Sequence, residues 1–193
     1  MSFLITPTSE LEAVNECLEN IGQSPVSTIA GDLGVDTQIA LNFVRKVNRE
    51  LQSLGWFWNT EKNFTLTPSG DGNILLPSNT LSVDTTAEDA DMDVVQRGQR
   101  LYNRDDHTYN FTPPIKVELT LGLTFEELPE TARRYIALRA ARIFEDRIDG
   151  ATSQSDSQDE ASAMANLLAV QMRVEDLNGL TSNYSTFNIL NRR

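Results

Sequence analysis

Five carboxylates crowd one stretch of the chain, Asp84, Glu88, Asp89, Asp91 and Asp93 in DTTAEDADMD, with no basic residue among them. A divalent-cation site needs such groups to converge around a turn glycine with a bidentate glutamate at a fixed offset. That arrangement is missing, so the stretch reads as a solvated acidic loop. Paired carboxylates can also hydrolyse glycosides, one as general acid and one as nucleophile or base. A chain with 28 acidic side chains always offers such pairs, and abundance singles out none of them. The sole histidine, His107, lies in RDDHTYN among turn-forming polar residues, a poor setting for the base of a serine or cysteine triad. Cys17, the sole cysteine, excludes an intrachain disulfide and falls beside the apolar stripe of a helix, where a small buried hydrophobe fits better than a nucleophile. The glycines occur singly, without a phosphate-cradling or dinucleotide fingerprint. Trp56, Phe57 and Trp58 could stack a sugar or a base, but directly after a helix-ending glycine they read as a plug between helix and sheet. These residues imply no catalytic site, no metal and no cofactor.

The remaining chemistry is that of contact. In ELPETARRYIALRAARIFEDRIDG, residues 127 to 150, steps of 100° bring Ile136, Ala137, Ala140, Ala141, Ile143, Phe144 and Ile148 into one sector and set Arg134, Arg139 and Arg142 opposite. Guanidinium groups suit recurrent pairing with carboxylates at subunit contacts, and a chain of net charge -12 supplies acidic faces in excess. The same charge argues against a broad nucleic-acid-binding surface, which needs cations to displace the counterions of phosphate.

Four helical patterns and a run of short strands must position these groups. Ser9 and Glu12 have the spacing of a capping box, ahead of Leu11, Val14, Leu18 and Ile21 on one face, with Gly22 as the stop. A second helix runs from near Asp36 to Leu54 with Ile39, Phe43, Val47, Leu51 and Leu54 in register. From Trp56 the period changes to short β-branched and aromatic runs, with a hairpin about Gly98 and a half-buried strand alternating Ile115, Val117, Leu119 and Leu121. Helix returns from Pro129 to Ile148, and a short acidic link leads to a fourth helix carrying Ala161, Met164, Leu167, Leu168, Met172 and Leu177; each of these two helices runs ~20 residues. The expected class is α+β: a helical bundle over 1–55 and 124–178, an inserted antiparallel β-domain over 56–123, and an extended C-terminal tail over 179–193. In that tail Tyr184, Phe187, Ile189 and Leu190 are isolated apolar anchors on a polar chain, which suits docking on something else. No apolar run approaches the ~20 residues of a membrane span, and the first residues lack the basic and apolar regions of a secretory signal, so a cytoplasmic site of synthesis and assembly is expected.

Three blocks fall in a recognisable order: AVNECLENIGQSPVSTIAG (13 to 31), KVNRELQSLGWFWN (46 to 59) and the arginine-bearing helix (127 to 150). Together they resemble the tail tubular protein A family of short-tailed phages, most specifically in the IGQSPV turn and the QSLGW junction. The acidic loop and the C-terminal tail match no part of that pattern. The resemblance implies a structural virion protein without catalytic residue or cofactor. It further implies an adaptor ring, usually of twelve copies, between the portal protein and the tail nozzle (tail tubular protein B-like), with tail fibres attached nearby and DNA passing through the lumen. A tail-associated polysaccharide hydrolase is the alternative reading.

Overall fold

The computed structural model describes residues 6–86, 92–150 and 154–182. The chain divides into two compact units, one of Met1–Asn48 with Thr124–Arg193, the other of Arg49–Leu123. The class is α+β, with four helices and small antiparallel sheets, as the sequence leads one to expect.

In the first unit, α1 (Glu10–Asn20) starts where Ser9 Oγ accepts the Glu12 N–H at 3.2 Å and Glu12 Oε2 accepts the Ser9 N–H at 2.7 Å. This reciprocal cap satisfies two otherwise orphaned donors. Ala13, Val14, Cys17 and Leu18 form its buried face. Gly22, at φ 71°, lets the Gln23 N–H turn back onto the Leu18 carbonyl at 2.9 Å. The Asn15 side chain then brackets Val26, accepting its N–H at 2.8 Å and donating to its carbonyl at 3.0 Å. The IGQSPV block is thus a turn tied to the helix before it.

Helix α2 (Val35–Gln52) buries Ala40, Leu41, Val44, Val47 and Leu51. The apolar stripe read from the sequence is rotated slightly outward: Ile39 and Phe43 are half-buried and Leu54 is 67% exposed. Phe43 lies on the shoulder of the bundle, its ring edge-on to Phe144 at 6.0 Å.

After a short 3-10 turn (Phe125–Glu127), α3 (Glu130–Asp149) buries Ala132, Tyr135, Ile136, Ala137, Ala140, Ala141 and Phe144. Its four buried alanines allow close approach, and α3 packs on both α1 and α4 (Gln154–Ser182). Helix α4 has 29 residues rather than ~20, because it continues through Gly179, which weakens a helix by about 1 kcal/mol without necessarily ending it. Ala163 and Leu167 form its inner face, while Leu168 and Met172, one helical step around, are 44% and 65% exposed. The tail read as starting at 179 therefore begins inside α4. Its anchors Tyr184, Phe187, Ile189 and Leu190 lie outside the described residues, as do Glu88, Asp89 and Asp91.

In the second unit, β5 (Ile115–Leu121) is the centre of a three-stranded antiparallel sheet, flanked by β1 (Thr60–Leu66) and β2 (Thr80–Thr85). A separate hairpin joins β3 (Val94–Arg97) to β4 (Arg100–Asn103) through Gly98. Ile115, Val117 and Leu119 of β5 meet Leu66, Ile74, Leu76, Val94, Leu101 and Phe111 in one core. The segment 73–76, which reads as a strand, makes only isolated bridges, Asn73 with Asn110 and Leu75 with Arg100. Gly72 precedes the segment at φ 77°, with the Asn110 side chain packed where a Cβ would stand, 1.7 Å from Asn110 Oδ1.

Candidate assembly surface

The arginines of α3 project toward the helices on either side. Arg134 Nη1 donates to both carboxylate oxygens of Glu16 on α1, at 2.9 and 2.8 Å. Arg139 Nη1 donates to Glu160 Oε1 on α4 at 2.7 Å, and Arg142 Nε donates to Glu160 Oε2. The three residues singled out by spacing are therefore brought onto one helix and bound within the subunit. Arg142 and Arg139 retain only 24% and 33% of their side-chain exposure, whereas Arg134 keeps 50%. Arg134 is the most exposed of the three.

The two carboxylates respond in opposite directions. Burial alone pushes the Glu160 carboxyl up, but hydrogen bonds and charge from Arg142 and Arg139 outweigh it and hold the group below its usual range. Burial is also the largest influence on Glu16, and there it wins over Arg134, with Glu19 and Asp159 adding their repulsion; its carboxyl is held above the usual range. The Glu16 carboxylate thus loses more to burial than the Arg134 contact restores.

Two neighbours missed by the sequence reading complete the frame. Glu130 accepts from the Thr8 N–H at 2.8 Å and from its hydroxyl at 2.6 Å. Arg133 donates to the carbonyls of Leu128 at 2.7 Å, Thr8 at 3.0 Å and Glu126. Together they lace the segment before α1 to the start of α3. Arg45 of α2 reaches Glu10 at 3.1 Å in the same manner. Helix periodicity marked the arginines, but their partners stand more than 100 positions away in the chain for Arg134 and Glu16, so nothing local identifies them.

Between α3 and α4 lies an open groove of about 410 Å³ with Leu138 and Ala163 among its lining and Glu130, Arg134 and Asp159 as its charged groups. On the second unit, the QSLGW junction is a buried polar network. Gln52 Nε2 donates to the Leu123 carbonyl at 2.9 Å and Gln52 Oε1 accepts the Leu123 N–H at 2.7 Å. Asn59 Oδ1 accepts the Trp56 N–H at 2.8 Å, and Asn59 Nδ2 donates to the carbonyls of Gln52 and Leu121, both at 2.9 Å. Trp56 is 3% exposed, its indole N–H held by the Leu51 carbonyl at 2.8 Å, and its ring stacks on Trp58 with centroids 6.4 Å apart. The aromatic cluster is a plug, with Phe57 alone turned outward at 36% exposure.

His107 occupies a turn position at φ 54° and is exposed, beside an Asn103 side chain that accepts the N–H groups of Asp105 and Asp106. Asp93 pairs with Arg104 at 3.2 Å, and Asp84 Oδ1 accepts the Thr85 N–H. Among the described residues no three His, Cys, Asp or Glu side chains converge as metal ligands, and no helix is long and apolar enough to cross a membrane. Cys17 is fully buried, and burial pushes its thiol up to about 12.

Comparison with known proteins agrees with the surface's structural character. The family described as Tail tubular protein matches residues 11–177, spanning both compact units. Tail tubular protein A of Klebsiella phage KP34 is 30% identical over 153 residues, covering 79% of this chain and 80% of that protein. A match of that extent, on a chain whose polar clusters tie helices and strands together, supports one conclusion: the chain belongs to the tail tubular protein family, as a structural protein of the phage tail.

Proposed function

We propose that this protein is the adaptor between portal and tail nozzle, acting as a ring whose lumen passes DNA. The observation that carries this reading is the family match through 11–177, which includes α2, α3, most of α1 and α4 and the whole β-rich second unit. In a ring each subunit repeats one head-to-tail contact with the next, so two different faces of the chain must be complementary. Arg134, half exposed beside Glu16 of α1, supplies a donor for such a contact; Arg139 and Arg142 act through Glu160 by fixing the position of α4. The ring has the twelve copies usual for the family, and its other partners are the portal, a tail tubular protein B-like nozzle and tail fibres. The bundle (1–55, 124–178) forms the ring body and the β-domain (56–123) is carried as an insertion. The C-terminal anchors Tyr184, Phe187, Ile189 and Leu190 order on a partner. With a net charge of -12 the lumen repels phosphate, and DNA slides without sticking. Assembly takes place in the host cytoplasm and ends in the virion tail.

Mixing the purified chain with isolated portal rings and imaging by negative stain tests the reading. The expected result is a second ring stacked coaxially on the portal. Portals that stay bare at micromolar concentrations of the chain would contradict it.

A further inference from the structure

The groove between α3 and α4 has an apolar floor, an acidic bias and no covering element among the described residues. Leu138 and Ala163 line it, Glu130 and Asp159 bring two carboxylates, and its one cation, Arg134, is already bound to Glu16. A segment suited to this groove needs aliphatic side chains followed by cations and no acid. Residues 183–193, NYSTFNILNRR, have that composition: Ile189 and Leu190 are followed by Arg192 and Arg193, with no Asp or Glu.

Chain length decides whose segment it is. Ala163 stands nineteen residues before Ser182, the last residue of α4, so the helix carries the chain ~29 Å past the groove. The eight residues from 183 to 190 span at most ~29 Å when fully extended. A subunit's own Leu190 would reach its groove only at full stretch, with nothing left for the reversal at the end of α4. A neighbouring copy has no such limit.

We infer that the α3–α4 groove of each subunit receives residues Ile189–Arg193 of the next copy, aliphatic side chains against Leu138 and Ala163, and Arg192 and Arg193 beside Asp159 and Glu130. The inference rests on the ring reading and names one of the contacts that closes the ring. Such a strap links neighbours without requiring their bundles to change shape, and it adds to the affinity of the direct bundle contact by tethering.

The test uses full-length chains carrying Leu138→Cys or Leu190→Cys, mixed in equal amounts, assembled on portal rings and exposed to a mild oxidant. Cys17, with its thiol buried, takes no part. Mixed rings are expected to yield a covalent dimer on a non-reducing gel that neither variant yields alone. Rings that form normally without the dimer overturn the inference and leave the adaptor reading standing; wild-type chains that form no ring on the portal overturn both. Should Leu138→Cys fail to fold, charge reversal gives a second route. Asp159→Lys, or Arg192→Glu with Arg193→Glu, is expected to lower ring yield about fivefold, and the chain carrying all three changes to regain most of it. A groove variant and a tail variant that both assemble like wild type, or a combined variant no better than the worse of them, contradict the strap.

Discussion

At the residue scale the chain's ionic groups are structural parts with opposite pH signatures. Glu160 accepts from two arginines with its side chain only 13% exposed, and Glu160→Gln is expected to cost roughly 1–2 kcal/mol near neutral pH, the range for charge-assisted hydrogen bonds with partial solvent screening. Because its folded pKa is depressed, that contribution is present above the unfolded value near 4.5 and is lost as pH falls through the lower folded value. Glu16 has the reverse sign. Its folded pKa is raised, so its contribution is fully present below 4.5 and is lost as pH rises through the folded value. Urea midpoints from pH 3.5 to 7 should therefore show Glu160→Gln weakening the protein most at the neutral end, and Glu16→Gln removing a gain that wild type shows on acidification. A uniform loss for Glu160→Gln across that range would contradict the assignment. Within the second unit, Asn59→Ala removes one acceptor and two donated bonds from a site 3% exposed, and should cost about 2–4 kcal/mol by stranding buried backbone groups; a urea midpoint within error of wild type would show the network to be dispensable.

At the element scale, helix α4 separates inner from outer apolar residues that sit side by side in the sequence. Leu167 is fully buried, so Leu167→Ala is expected to cost about 2–4 kcal/mol. Leu168 is 44% exposed, so Leu168→Ala should stay within about 0.5–1 kcal/mol. Equal losses on thermal unfolding would mean that the helix is rotated relative to this account. The contrast also shows where legibility stopped. The capping box at Ser9, the stop at Gly22, the Gly98 hairpin and the alternation of Ile115, Val117 and Leu119 depend on residues within a few positions of one another, and each was readable. Which of Leu167 and Leu168 faces inward depends on where α3 lies, a long-range fact. The same holds for the arginines: their shared helix was legible, while Glu16 and Glu160 as partners were not. Gln52 and Asn59 lie within the block 46 to 59, yet their carbonyl and amide partners at Leu121 and Leu123 stand across the second unit, so only the structure explains why that block has those residues.

At the scale of the whole molecule, the match through 11–177 points to a structural part of the phage tail. Each unit has its own buried core, which fixes the surfaces around it. The central claim is that these surfaces join portal to nozzle, and electron microscopy of phage particles made without this chain, beside particles complemented with it, addresses that claim most directly. The account predicts capsids with a portal but no nozzle, prone to losing their DNA, and complete tails on complementation. Complete tails on particles lacking the chain would contradict it.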